Sequence, residues 1–221
     1  MTDTRFSESL PGGDQAQRLS RRNLLKAGSA FAGAIALAGV GGVEQSVQAQ
    51  ARRVRWDLVS LKPEGAGVGA NPGGEASARS VNRLRITFTG TGTFLPGTPR
   101  DVAGGGTFKV AAATGSNLFE GSYRVTELLY WQREEGRPPP AIVADHIGGG
   151  DPAAGYAVLR IAYPGGAEGI LAISCHLAGT NDGLFEGIFA THTTVSFFNP
   201  ELPQDEPFVD ANRTLFHVAS S

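Results

Sequence analysis

From residue 52 onward, hydrophobic positions recur mostly every second residue. Val54, Trp56 and Leu58 alternate with Arg53, Arg55 and Asp57, and Leu84, Ile86 and Phe88 alternate with Arg83, Arg85, Thr87 and Thr89. Side chains on a strand point to opposite faces in turn, so both segments predict half-buried strands. A shorter strand is expected over 107–112, after Gly104-Gly105-Gly106. A longer one is expected over 119–132, with Phe119, Tyr123, Val125, Leu129 and Trp131 on one face. Glu127 falls in that same apolar row. Segments 155–163 and 168–177 are apolar on both faces, joined by the hairpin-like turn Pro164-Gly165-Gly166-Ala167. Apolarity on both faces predicts central strands, covered on both sides or lining a barrel interior. The pattern then predicts a last long strand over 185–198, a surface wrap over 199–210 with three prolines, and an edge strand over 214–218.

No stretch of 52–221 carries a helical period of ten or more residues. About seven to nine strands punctuated by glycine-rich turns predict an all-β fold. It is either a single antiparallel β-barrel of about eight strands or a β-sandwich. The longest expected non-strand regions are 65–74 and 132–152, where loops on a rigid sheet commonly carry sites. The chain holds 31 glycines, clustered between apolar runs as turn punctuation. Leu-Phe-Glu-Gly occurs at 118–121 and again at 184–187, one turn-to-strand solution used twice.

The first 51 residues read differently. A polar lead ends at Ser20-Arg21-Arg22-Asn23-Leu24-Leu25-Lys26, followed by a weakly apolar Ala- and Gly-rich run over 27–43. Val47-Gln48-Ala49-Gln50-Ala51 then offers small-x-small cleavage after Ala49 or after Ala51. This arrangement resembles a twin-arginine (Tat) export signal, with Leu24 where the family more often has Phe. The resemblance implies that Arg21 and Arg22 engage the Tat translocase and that the protein crosses the membrane already folded. The mature protein is then secreted, periplasmic or attached to the cell envelope. The domain division that follows is a signal peptide, disordered or helical, over 1–51 and one all-β domain over 52–221. The mature part is not expected to span the membrane.

The leader's five basic and four acidic residues aside, 14 basic and 17 acidic residues remain, a net charge of −3. Such a balance gives no electrostatic footprint for nucleic acid or anionic lipid. Cys175 is the single cysteine, so no internal disulfide exists, and its strand context predicts a buried thiol.

Gly104-Gly105-Gly106-Thr107-Phe108 and Gly183-Leu184-Phe185-Glu186-Gly187-Ile188-Phe189-Ala190 are similar to strand starts in the allene oxide cyclase and dirigent-like barrels. The resemblance implies an eight-stranded antiparallel barrel with an apolar lumen, and it carries over no functional residue.

Candidate chemistry falls into two sets. Asp145, His146 and Asp151 bring two carboxylates and an imidazole into one glycine-rich loop, a combination suited to a divalent metal. The same aspartates also suit a turn in which they cap backbone amides. Glu127, His176 and His192 are the candidate acid–base groups. Glu127 on a core face needs a partner, and Arg124 or Arg160 are in reach by pattern. No Gly-x-Ser-x-Gly elbow, His-Glu-x-x-His or Walker loop occurs. Gly65-Ala66-Gly67-Val68-Gly69-Ala70 fits a dinucleotide pattern but runs into Asn71-Pro72-Gly73-Gly74, which cannot continue as the required helix. The leading expectation is a secreted barrel-like module holding a small apolar ligand, its cofactor unspecified. The alternatives are a cofactor-free cyclase or isomerase working in the lumen, and an envelope-associated structural or interaction protein.

Overall fold

The computed structural model describes residues 52–193, 196–201 and 212–220. The leader, with Arg21, Arg22, Ala49 and Ala51, lies outside them, as does most of the expected wrap over 199–210. Among the described residues thirteen strands follow one another: β1 (Val54–Glu64), β2 (Gly67–Pro72), β3 (Glu75–Arg79), β4 (Arg85–Thr89), β5 (Thr91–Phe94), β6 (Val102–Ala111), β7 (Asn117–Glu134), β8 (Val143–Asp145), β9 (Asp151–Ala162), β10 (Glu168–Cys175), β11 (Gly187–His192), β12 (Ser196–Pro200) and β13 (Arg213–Val218). The chain is all-β: among the described residues there is no α-helix, only a 3₁₀ turn at Pro164–Gly166. Among the described residues no helix is long and apolar enough to cross a membrane.

The strands form one sheet that forks twice and closes on itself. Phe94↔Val102 through Thr91↔Gly105 and Phe88↔Phe108 through Arg85↔Ala111 keep a single register along β6. So β4 and β5 behave as one strand broken at Gly90. Beyond the break β4 pairs with β3, whereas β5 pairs with β1. The second fork is on β9. It pairs with β7 and β10 over residues 155–162 and with β13 over 151–153. A short route therefore runs through β1 and β13. A long one runs through β3, β12, β11 and β10, closing a ring of eight strands with β4, β6, β7 and β9. The ring is barrel-like but not a regular barrel, because β5, β1 and β13 branch from it. Pairings are antiparallel except for β8, which joins β2 in parallel.

Several expectations are corrected here. β6 begins before the glycine triplet, and those glycines lie inside it. A Cβ on Gly106 would stand 2.0 Å from the Thr89 carbonyl oxygen, so only glycine lets β6 pass β4 this closely. Region 65–74 is mostly strand β2. The long strand expected over 185–198 is two strands, parted after His192, with Thr193 at φ 61°. β13 is not an edge strand: it lies between β1 and β9, and residues 214–218 are buried. Within β1, Asp57 is as fully buried as Trp56 and Leu58, because other chain segments cover both faces.

β7 departs from simple alternation at two bulges, between Val125 and Glu127 and between Leu128 and Tyr130. Each extra residue flips the side-chain parity. The core row is therefore Tyr123, Val125, Leu128 and Trp131, while Leu129 is 41% exposed and Glu127 faces outward.

Trp56, Phe88, Phe94, Phe198 and Phe216 are fully buried with Leu58, Ile86, Leu159, Ile161, Leu171, Ile173 and Ile188. Edge-on ring pairs lock them, Phe88 on Tyr123 at 5.0 Å and Phe216 on Trp131 at 4.8 Å. Side chains this enclosed border no water-sized void. They occupy the space that an apolar lumen would need.

Candidate functional site

The expected acid–base groups do not converge. Glu127 on β7 is the register partner of Arg160 on β9, whose Nε donates to Glu127 Oε2 at 2.9 Å. Arg160 also lies 3.8 Å from Glu168, so Glu127 belongs to an outward ionic row. His192 ends β11 against the rings of Tyr163 (4.7 Å) and Phe119 (4.9 Å), and burial holds its pKa below the ordinary value. His176 follows β10 directly. No hydrogen bond or ion pair joins the three.

The loop over 145–151 scatters its ligand types as well. Asp145 Oδ1 accepts the Ile147 and Gly148 amides at 2.9 and 3.4 Å, which makes it a turn cap. Its Oδ2 lies 2.7 Å from Nε2 of His217, a fully buried side chain on β13. His217 Nδ1 has no hydrogen-bond partner, and Nε2 is the ring nitrogen that donates to Asp145. Burial pushes the Asp145 carboxyl up. The His217 bond, the two amides and the His217 charge outweigh it, leaving the carboxyl below its usual range. His146 turns away to Glu64, 2.5 Å from Nε2 to Oε2, and Asp151 is exposed at the start of β9. Among the described residues no group of three or more His, Cys, Asp or Glu side chains could hold a metal ion.

What the loop does instead is close over β1 and β13. Arg55, the register partner of His217, donates through Nε and an Nη to both Asp57 oxygens at 2.8 and 3.0 Å. Its other Nη reaches the Ile147 carbonyl at 3.3 Å. Gly148, Gly149 and Gly150 all have positive φ, the backbone freedom that lets the loop fold onto this cluster. Sequence reasoning missed Asp57 and His217, because alternation alone places Arg55 and Asp57 on a solvent face. The available signal was the bidentate spacing of Arg55 and Asp57, two apart on one strand face.

The better pocket lies where β10 and β13 separate. Glu186, just before β11, spans the gap: Oε2 accepts the His176 amide at 2.6 Å and Oε1 the Thr214 amide at 2.7 Å. Burial pushes its carboxyl up to about 7, although those two amides and the Arg213 charge pull the other way. It borders a pocket of about 280 Å³ whose apolar wall includes Val59, Leu61, Pro139, Pro140, Val143 and Leu177. His176, Arg213 and Thr214 supply the polar end. Cys175 sits behind, fully buried. Burial, then the Glu186 charge, push its thiol well above the usual range, which makes it unreactive.

A larger hollow, about 690 Å³, is a charged trough over β3, β4 and β6. Its Arg79 and Arg85 both donate to the Glu201 carboxylate, at 2.6 and 2.8 Å. Size therefore favours the trough, but both of its arginines are already held by Glu201. The smaller pocket has the apolar wall and few convergent polar groups expected of a ligand site. No family model, curated protein or solved structure matches this chain.

Proposed function

We propose that the protein is an exported β-barrel-like binding module that takes a small apolar molecule in the Glu186 pocket. The supporting observation is a pocket with an apolar wall ending on a carboxyl that titrates near neutrality. Near pH 7 such a carboxyl both donates and accepts, so it suits a ligand with an apolar body and one hydroxyl or carbonyl group. The filled interior argues for this peripheral pocket over a lumen.

Titrating the full chain with 1-hexanol and with indole, followed by calorimetry and thermal shift, tests the reading. Saturable binding that weakens about tenfold or more in Leu61→Phe, which projects a ring into the pocket, is expected. Non-saturable responses, or equal binding by the variant, would overturn it. The same carboxyl would serve an acid–base isomerase. That second reading predicts conversion of a co-purifying molecule by the native protein and none by Glu186→Gln.

Export rests on the twin-arginine segment. Arg21→Lys with Arg22→Lys should retain the protein in the cytoplasm. N-terminal sequencing of exported material should start at residue 50 or 52.

A further inference from the structure

A second groove lies on the outer face of β7 and β9; it shares no lining residue with the Glu186 pocket, although Phe185 in its wall directly precedes Glu186. Tyr130, Tyr156 and Phe185 wall a hollow of about 510 Å³, with ring centroids 6.3 Å and 6.0 Å apart in succession. Beside them runs a polar row, Tyr130, Gln132 and Glu134, at two-residue spacing on one strand face. The Tyr130 hydroxyl donates to Gln132 Oε1, and Gln132 Nε2 donates to Glu134 Oε1. Asn181 completes the rim, its Oδ1 accepting the Gly183 amide at 2.8 Å. Tyr130 is 48% exposed, so the aromatic wall is open to solvent.

We propose that this groove binds a neutral saccharide, one ring of an oligosaccharide lying against Tyr130, Tyr156 and Phe185. A pyranose has apolar C–H faces that stack on aromatic rings and a rim of hydroxyls that both donate and accept. The row meets that rim with a carboxylate that only accepts and with amides that donate and accept. Glu134 is the one acidic side chain in the lining, which holds no Lys, Arg or His, so a phosphorylated or acidic sugar is disfavoured. A proline-rich peptide also favours aromatic grooves, but it presents chiefly carbonyl acceptors and leaves the Glu134 carboxylate without donors. An open groove suits one residue of a chain that continues in both directions.

Calorimetric titration of the full chain with cellotetraose, maltotetraose and N-acetylchitotetraose, with decaproline as a competitor class, decides the matter. At least one neutral oligosaccharide should bind with a Kd below about 10 mM. Tyr130→Ala and Phe185→Ala should each weaken it about tenfold. Leu61→Phe, in the other pocket, should bind it normally. Native-like melting of Tyr130→Ala, at a largely exposed site, would certify the fold. Binding of none of the three sugars, equal binding by Tyr130→Ala, or binding of decaproline alone would each overturn the proposal.

Discussion

Glu186 carries its pocket's chemistry because two separated backbone amides, of His176 and Thr214, need an acceptor where no strand carbonyl reaches them. Burial raises its pKa from an ordinary value near 4.5 to about 7. The folded state therefore holds a proton that the unfolded chain releases, and this group's contribution to stability is greatest below about pH 4.5. It declines as pH rises to about 7, by up to about 3 kcal/mol from this group, and levels off above. Urea unfolding across pH 4–8 should show this slope. Glu186→Gln should flatten it while losing one amide bond, worth about 1–3 kcal/mol. Asp145 has the opposite sign. Its lowered pKa contributes stability above the ordinary aspartate range that is lost as pH falls through the folded value. His217→Leu should cost about 1–2 kcal/mol in thermal unfolding, since Asp145 loses one hydrogen bond but keeps the Ile147 and Gly148 amides and its access to solvent.

The strands legible in the sequence were those with clean alternation, β1 and β4, or with a continuous apolar run, β9. β1, β4 and β9 lie close to where Trp56, Ile86 and Leu159 place them. β7 was legible in extent but not in facing, because a bulge leaves no compositional mark in Glu127-Leu128-Leu129. The bulges make a sharp prediction. Leu128→Asp should cost more than about 3 kcal/mol and Leu129→Asp less than about 0.5, whereas unbroken alternation requires the reverse. The glycines of β6 misled for a related reason. They signal turns in isolation, but here they relieve a close strand crossing that only the assembled sheet reveals. Gly106→Ala should destabilise by about 3 kcal/mol, since its Cβ meets backbone rather than a movable side chain.

At the scale of the molecule, all of the described residues belong to one compact unit, Gln48–Ser221. The all-β class followed from periodicity and turn composition. The double fork did not, because Gly90 and the first residues of β9 acquire different partners only through contacts distant in sequence. The Glu186 pocket was hidden likewise: Leu61, Pro139, His176 and Arg213 are far apart along the chain and meet only where β10 and β13 diverge. A barrel suggested a lumen, yet aromatic and branched side chains fill the centre, so the ligand site proposed above lies at the periphery. Backbone and methyl chemical-shift mapping during titration of the full chain with 1-hexanol tests that claim most directly. Saturable shifts confined to Val59, Leu61, Leu177, Thr214 and their neighbours are predicted. Saturable shifts centred on Phe88, Leu159 and Ile173 would place the ligand inside the ring and contradict the account.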